Sequence, residues 1–482
     1  MSVNLQPGTK GIFYKRFLYE WAKIEAVYNG DSAIKEAREL YLPKLSGQSP
    51  EEYDAYLARG CFFNAFARTI QGLSGAITRK EPVIEVVPKI DELLPTISLA
   101  NESIQEVIKI TVDNILEFGY YGILVDMPAL PEGSVVANDT PYFAMYPAAN
   151  IINFRTRQVG SENKLELLCL AETAFEPNPE NIFELVAKER VRVLEIADDV
   201  LTVRIYEKSA SAKEESWGQI GEDIQPKIKG APLDFIPFVF FGAVSNNPVP
   251  TSPPLIDLAD LNIKHWQVST DYYHGLHYCA LPTPWAAGFG KDTTLYIGAQ
   301  KAWVSDDPNA KCGYLEFTGA GLSAIEKALD RLEGQMAIMG ARMLEEQKKA
   351  AEAADTVRMR YSGDTATLST IVTSVEQGMM KAIDYLGIWM GLSDATSEVH
   401  LNRDFVAQQL EATQITALLQ SWQAGGISLD TFLYQLQVGE ILAADVTIED
   451  EKLRIESGKD KSFENAPANP FGDVADMNQF GA

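Results

Sequence analysis

The sequence is poor in cysteine and contains no long apolar run. Its four cysteines lie far apart among 482 residues and form no CxxC pair, a distribution typical of reduced thiols in a reducing compartment. No stretch reaches the roughly 18 uninterrupted apolar residues that span a bilayer. The first residues, MSVNLQPGTKG, lack the apolar segment of a signal peptide. We therefore expect a protein that is made and folded in a cytoplasm and has no membrane partner.

The common enzyme motifs are also missing. There is no GxxxxGK[ST], GxGxxG, HExxH or GxSxG pattern. His265, His274, His277 and Cys279 share one predicted helix, but a metal site needs three or four converging ligands, and the role of these histidines stays open. Asp126 ends a predicted strand, where the simpler interpretation is a turn-capping carboxylate. We expect no enzymatic activity, no catalytic residue, no cofactor and no metal.

Basic residues are outnumbered, with 41 Lys and Arg against 67 Asp and Glu, and the formal net charge is −26. This balance argues against a protein that wraps nucleic acid by neutralising phosphates. It leaves open a surface past which nucleic acid slides.

The clearest pattern is an apolar stripe from Leu322 to Glu346, which predicts a long helix. Its apolar members alternate at three- and four-residue steps: Leu322, Ile325, Leu329, Leu332, Met336, Met339 and Met343. A second helix is predicted over Pro254–Ala280. Residues 281–320, between the two, hold Gly, Pro and short β-like runs. The two helices therefore flank an inserted module.

The inserted module is too small to form a core of its own. Its aromatic residues lie among many glycines: Trp285, Tyr296, Trp303, Tyr314 and Phe317. They must pack on copies of the module or on a partner. We therefore predict that Trp303 and Tyr314 lie at a subunit interface.

The remaining segments predict an α+β fold. Residues 11–80 are predicted to be helical, with one apolar stripe formed by Phe13, Phe17, Trp21 and Ile24 and with Ser49 and Glu52 as a capping box. A further helix is predicted over Ser103–Phe118. From Tyr121 to Phe241 the period changes to two, which indicates strands, with a loop or hairpin tip over residues 210–230. A long helix over Leu368–Leu392, a helical cap over 404–456 and a polar, disordered tail over 457–482 follow.

The stretch Lys348–Thr367 loses the apolar stripe and carries four basic residues in an acidic protein: Lys348, Lys349, Arg358 and Arg360. One interpretation is a solvated loop. The other is a mobile basic loop that contacts phosphates.

The order of these elements resembles the portal proteins of tailed bacteriophages over roughly residues 10–456. The stretches that carry the resemblance are short: Tyr41–Pro43, Ser49–Tyr53, Gly122–Pro128, Tyr146–Asn153, Gly275–His277 and Leu281–Pro284. None of them is catalytic, and their joint order is more specific than any one of them.

The resemblance implies a portal-like division of the chain. It assigns 1–250 to an α+β wing, 251–280 to a first stem helix, 281–320 to a clip, 321–347 to a second stem helix, 348–367 to a tunnel loop, 368–403 to a long wing helix with its connector, 404–456 to a helical crown and 457–482 to the disordered tail. The basic residues then belong to the tunnel loop and would face DNA.

The function implied by the resemblance is a ring of twelve subunits at one capsid vertex of the virion, assembled in the host cytoplasm. Double-stranded DNA would pass through its channel without sequence specificity, during packaging and ejection. Implied partners are the packaging motor (terminase), scaffold or capsid protein, and head-completion or tail proteins. The alternatives are another virion assembly protein, such as a scaffold or minor capsid component, and an enzyme with no recognisable motif.

Overall fold

The computed structural model describes residues 6–128, 140–209, 216–280, 283–289, 295–296, 302–315, 321–340, 354–392, 396–403, 405, 412–439, 441–442 and 447–462. The chain divides into two compact units, Met1–Arg403 and Asp404–Ala482. Both helices and strands are abundant, and the fold is α+β, as expected from the sequence.

The helices within the described residues are α1 (Ile12–Asn29), α2 (Asp31–Glu36), α3 (Pro50–Arg59), α4 (Ala65–Ile77), α5 (Pro88–Asp91), α6 (Ile104–Phe118), α7 (Ile256–Ala280), α8 (Leu322–Ile338), α9 (Ala354–Trp389), α10 (Ala412–Gln423), α11 (Leu429–Val438) and α12 (Ile448–Ser462). No helix in this part of the chain combines the length and the apolar character needed to cross a membrane.

The strands are β1 (Val83–Glu85), β2 (Tyr120–Asp126), β3 (Tyr142–Pro147), β4 (Ile151–Val159), β5 (Glu162–Asn178), β6 (Asn181–Ala197), β7 (Val200–Lys208), β8 (Trp217–Ile224), β9 (Lys227–Ile228), β10 (Ala231–Pro232), β11 (Phe238–Gly242), β12 (Thr283–Ala287), β13 (Lys311–Leu315) and β14 (Glu398–His400). The larger sheets have the strand orders β11-β2-β3 and β4-β5-β6-β7-β8, and β1–β14, β9–β10 and β12–β13 pair separately.

The centre of the first unit is the antiparallel sheet β11-β2-β3. Strand β2 is buried along Tyr120–Val125, because α9 and α6 pack against it. Gly378 of α9 allows a close approach, since a Cβ at this position would lie 2.2 Å from Cε1 of Phe241. The buried face of α9 is continuous: Leu368, Ile371, Val372, Val375, Met379, Ala382, Ile383 and Leu386.

A second cluster of buried residues lies where α1 meets the five-stranded meander β4–β8. Phe17 and Trp21 of α1 pack there with Leu168 and Val193 of the sheet. The Trp21 Nε1 group donates to the Phe118 carbonyl at 3.2 Å. The predicted stripe of α1 is therefore confirmed, and the predicted capping box at Ser49 and Glu52 is present.

Three expected boundaries were wrong. The segment 210–230, expected as a hairpin tip or mobile loop, includes strand β8, in which Ile220 and Ile224 pair with Ile205 and Val203 of β7. The tail expected from Ser457 is helical as far as Ser462, within α12. The expected loop 348–367 is helical from Ala354 onward, since α9 begins there.

The second unit is described by itself. Its helices α10 and α11 pack through Trp422 and Phe432, whose rings stack with centroids 5.2 Å apart. Lys452 of α12 pairs with Asp430 of α11 at 2.6 Å. The region was predicted to be a helical crown over 404–456. Residues 463–482 of the predicted tail lie outside the described residues.

Candidate functional site

The candidate site is the pair of helices α7 and α8 together with the strands between them, and we refer to it as the stem and clip. The first half of α7 is held inside the first unit. Trp266 is fully buried. The Asn262 side chain accepts from the Phe66 amide at 3.0 Å and donates to the Phe63 carbonyl at 2.8 Å. The two bonds give the buried Asn262 side chain one partner for its oxygen and one for its nitrogen, and they join α7 to the start of α4.

The second half of α7 loses this cover. Tyr273, Leu276 and Tyr278 are each more than a third exposed. Asp271 still accepts a hydrogen bond from the Tyr56 hydroxyl at 2.6 Å, so the change occurs within the last turns of the helix. We refer to the first unit without the stem and clip as the body. An apolar surface therefore begins where α7 emerges from the body.

Helix α8 lies against α7, and its predicted stripe is confirmed as far as Met336. Four members of the stripe are half-buried and Met336 is buried. Gly275 marks a close approach, because a Cβ there would lie 2.8 Å from Cδ2 of Leu322. Most of the apolar stripe of α8 is therefore at least partly covered within a single copy. Met339 is exposed, and Met343 lies outside the described residues.

The clip contains a short antiparallel pair in which Trp285 of β12 faces Gly313 of β13. Trp285 is 43% exposed and Tyr314 is 55% exposed. Trp303 is half-buried, and its Nε1 group donates to the Tyr296 carbonyl at 2.7 Å. The described part of the clip therefore leaves aromatic surface uncovered. The assignment of Trp303 and Tyr314 to a subunit interface stays a prediction.

The four basic residues of the predicted tunnel loop are not brought together by any described contact. Lys348 and Lys349 lie outside the described residues, whereas Arg358 and Arg360 lie on the backbone of α9. The expectation of a loop was wrong from Ala354 onward, where the backbone is helical. A single Gly363 costs a helix only about 1 kcal/mol, too little to end it.

The histidines of α7 have protein partners. His265 Nε2 lies 3.3 Å from Oε1 of Glu333 and joins α7 to α8. His274 stacks edge-on against Tyr56, and burial, followed by the charge of Arg59, lowers its pKa. Among the described residues, no three His, Cys, Asp or Glu side chains lie close enough to hold a metal ion.

Asp126 belongs to a half-buried charge cluster. It pairs with Nη1 of Arg192 at 2.9 Å and accepts from the Met127 amide. Arg192 also pairs with Glu172 at 2.7 Å, and the Tyr146 hydroxyl donates to Glu172. Burial raises the pKa of Asp126, and Arg192 opposes that rise. The cluster ties β2 to the five-stranded sheet, so its geometry supports a structural role.

Sequence reasoning missed a long hairpin formed by β5 and β6, each of 17 residues. Its distal end exposes large apolar side chains, among them Ile182, Phe183 and Leu185. The available signal was an apolar run immediately after Asn178-Pro179-Glu180-Asn181, a sequence typical of a turn between two strands.

A protein family described as a domain of unknown function, DUF4055, matches residues 254–390. This match covers α7, the clip, α8 and all of α9. No curated protein matches the chain.

Several solved structures show a likeness to the chain at 12% sequence identity. One is described as the virion of a native gene transfer agent (GTA) particle, with 79% of this chain and 90% of that chain covered and a TM-score of 0.36. Another, the neck of an empty GTA particle computed with C6 symmetry, covers 81% and 96% with a TM-score of 0.39. The neck of a native GTA particle computed with C12 symmetry covers 82% and 94% with a TM-score of 0.36. TM-scores below 0.5 do not establish a shared fold.

Proposed function

We propose that the chain is a portal protein, a structural subunit of a closed ring at one capsid vertex of a virion. One observation carries the proposal. Two helices packed along their length, α7 and α8, connect a well-packed body to a clip whose aromatic side chains remain exposed in a single copy. Such a clip lacks a core of its own and is completed by neighbouring copies.

The proposed ring follows from how these parts can associate. A patch that is not self-complementary associates head to tail, and head-to-tail contacts generate closed rings when the rotation closes. Side-by-side helix pairs suit this arrangement, because each pair presents two flanks to its neighbours. The resemblance of the motif order to portal proteins gives the expected ring size, twelve subunits.

The proposed activity is passage of double-stranded DNA through the channel, without sequence specificity and without catalysis. Among the described charged residues of α8, Glu326, Asp330 and Glu333 outnumber Lys327 and Arg331, and all five are exposed. An acidic wall repels phosphate and reduces adhesion of DNA. The proposed protein partners are the packaging motor, scaffold or capsid protein, and head-completion or tail proteins.

The test is to measure the mass of the purified chain by light scattering and to image it by negative stain. The proposal predicts closed rings with a central hole and a mass of many subunits. A monomer or small oligomer without a central hole would favour an enzyme, and an elongated particle would favour a scaffold. Either of these results would overturn the proposal.

A further inference from the structure

The distal half of the β5–β6 hairpin is a two-stranded arm, which we define as residues 174–187. Strand β4 pairs with β5 only as far as Ile151 opposite Leu170, and β7 pairs with β6 only as far as Glu207 opposite Arg190. Beyond these positions no third strand is found among the described residues. Because an isolated two-stranded hairpin is marginally stable in water, the arm needs a surface to pack on.

The arm carries apolar side chains and an unbalanced negative charge near its turn. Phe183 is 93% exposed, and Phe175, Ile182 and Leu185 are also mostly exposed. The arm contains no Lys or Arg. Glu180 and Glu184 lie near the turn, where Glu184 accepts a hydrogen bond from the Asn178 amide but has no cation beside it among the described residues.

The start of α1 carries positive charge, opposite to that of the arm. Residues 6–19 hold three cations, Lys10, Lys15 and Arg16, and no acidic residue, although the whole chain is strongly acidic. Within the described residues the contacts of these cations include the rings of Tyr14 and Phe17 but no ion pair with a carboxylate. We refer to this segment as the basic α1 surface.

An apolar hollow of about 50 Å³ lies beside these cations. Its lining includes Phe13, Phe154 and Pro250, and Ile12 is 78% exposed. The rings of Phe13 and Phe154 stack with centroids 5.5 Å apart and form one wall. The basic α1 surface therefore offers both positive charge and apolar contact area, which are the two properties that the arm requires.

The two surfaces cannot meet within one copy. Asn153, which lines the hollow, pairs with Cys169 of β5. The turn at Asn178 lies nine residues further along the same strand, about 30 Å away at roughly 3.3 Å per residue. Contact must therefore join different copies. Since the two patches differ, the contact is head to tail and compatible with a ring.

We propose that the arm of one copy docks on the basic α1 surface of the next copy, with Glu180 and Glu184 facing Lys15 and Arg16 and with Ile182 at the apolar hollow. Ile182 and Glu184 lie on the same face of β6, because alternate side chains of a strand share a face. This inference rests on the proposed ring and adds a second subunit contact to that of the clip. The opposite charges make the contact sensitive to salt.

The first test replaces Ile182 with a photoreactive p-benzoylphenylalanine in the full chain and maps the crosslinked peptides after irradiation. The proposal predicts crosslinks between copies, to residues 6–19. Rings that form with crosslinks elsewhere would overturn the docking site and leave the proposed function standing. A chain that forms no ring would overturn both.

The second test is a charge swap. The E180K/E184K and K15E/R16E variants should each assemble at a concentration about tenfold higher than the parent, and their combination should recover most of that loss. The matched control is K89E/K227E, which reverses two exposed cations outside the basic α1 surface and should assemble as the parent does. All variants should keep the parent's unfolding midpoint. Equal assembly of the single-surface variants and the parent would overturn the proposal.

Discussion

Two tryptophans of the stem and clip have opposite surroundings. Trp266, in the first half of α7, is fully buried by the body, whereas Trp285 of the clip is 43% exposed. The two residues lie 19 positions apart on either side of the point where α7 loses its cover. The core around Trp266 is complete within one copy, whereas the aromatic rings of the clip are left partly uncovered.

This difference separates two kinds of stability. A side chain in the body contributes to the free energy of unfolding of a single copy. A side chain in the clip contributes chiefly to association, because its remaining apolar surface is covered only by another copy. Variants can therefore be sorted by whether they change unfolding, assembly or neither.

The largest expected effect comes from Trp266→Ala. Removing a fully buried indole should lower the free energy of unfolding by about 3–5 kcal/mol. The matched variant Trp285→Ala should lower it by no more than about 1 kcal/mol in the monomer. Denaturant titration of both at a concentration that keeps the chain monomeric provides the measurement. Equal losses would remove the distinction between body and clip.

The next effect concerns a buried acid of the body. Burial, and then the carboxylates of Asp113 and Glu25, raise the pKa of Glu117 to about 8. The unfolded chain ionises this group near its ordinary value of 4.5, so between the two values only the folded chain keeps the proton. Unfolding free energy should therefore fall as pH rises from about 4.5 to about 8, and stay low above that.

Glu117→Gln removes this ionisation. It should raise the stability by about 2–4 kcal/mol near pH 9, relative to the parent, and little near pH 5. Denaturant titrations across this pH range provide the measurement. Glu92→Gln, at an exposed position, should leave the parent's pH dependence intact. A Glu117→Gln protein with an unchanged pH slope would contradict the argument.

A smaller change in unfolding is expected for Trp303→Ala, because the ring is only half-buried within one copy. Its main effect should be on assembly, which should shift from rings towards monomers, because the part of the side chain that is exposed in one copy becomes buried at the interface. The two losses together should approach the roughly 3–5 kcal/mol of a fully buried aromatic ring. Sedimentation velocity measures the shift. Trp303→Phe keeps most of the apolar area and should assemble better than Trp303→Ala. Full assembly of Trp303→Ala would contradict the clip interface.

The smallest structural effect is expected for the four basic residues. Replacing Lys348, Lys349, Arg358 and Arg360 with Ala should leave both unfolding and ring formation near the parent's values, while DNA packaging decreases, because weak, salt-sensitive phosphate contacts are lost. The control exchanges Lys and Arg at the same positions and keeps the charge. Unimpaired packaging would show that these four residues are merely solvated and do not contact DNA. Loss of rings would show that they have a structural role.

The sequence was sufficient to predict the elements whose apolar residues recur over several turns. The stripe of α8 and that of α1 are examples, because a face buried along its whole length leaves a regular pattern. The start of α9 was not predicted, because the residues before Leu368 are largely polar and show no apolar stripe. Their backbone is nevertheless helical from Ala354 onward. The β5–β6 arm was missed for the opposite reason: its apolar residues are exposed and do not alternate regularly with polar ones.

The candidate site was predictable in kind but not in detail. The shortage of core residues around Trp285 and Tyr314 correctly indicated uncovered aromatic rings. The partner of the α8 stripe could not be read from one sequence, because α7 and a neighbouring copy would both satisfy the same pattern. The opposite charges of the arm and of α1 are visible in the sequence. That the two surfaces lie too far apart to meet within one copy follows only from the register of β4 and β5.

The central claim is that neighbouring copies cover the aromatic rings of the clip, whereas the core of the body is complete within one copy. Oxidative footprinting of the assembled and the dilute, monomeric chain tests this claim most directly. The account predicts that Trp285 and Tyr314 become protected on assembly, while fully buried Tyr53 is protected in both states. Equal labelling of Trp285 and Tyr314 in both states would contradict it.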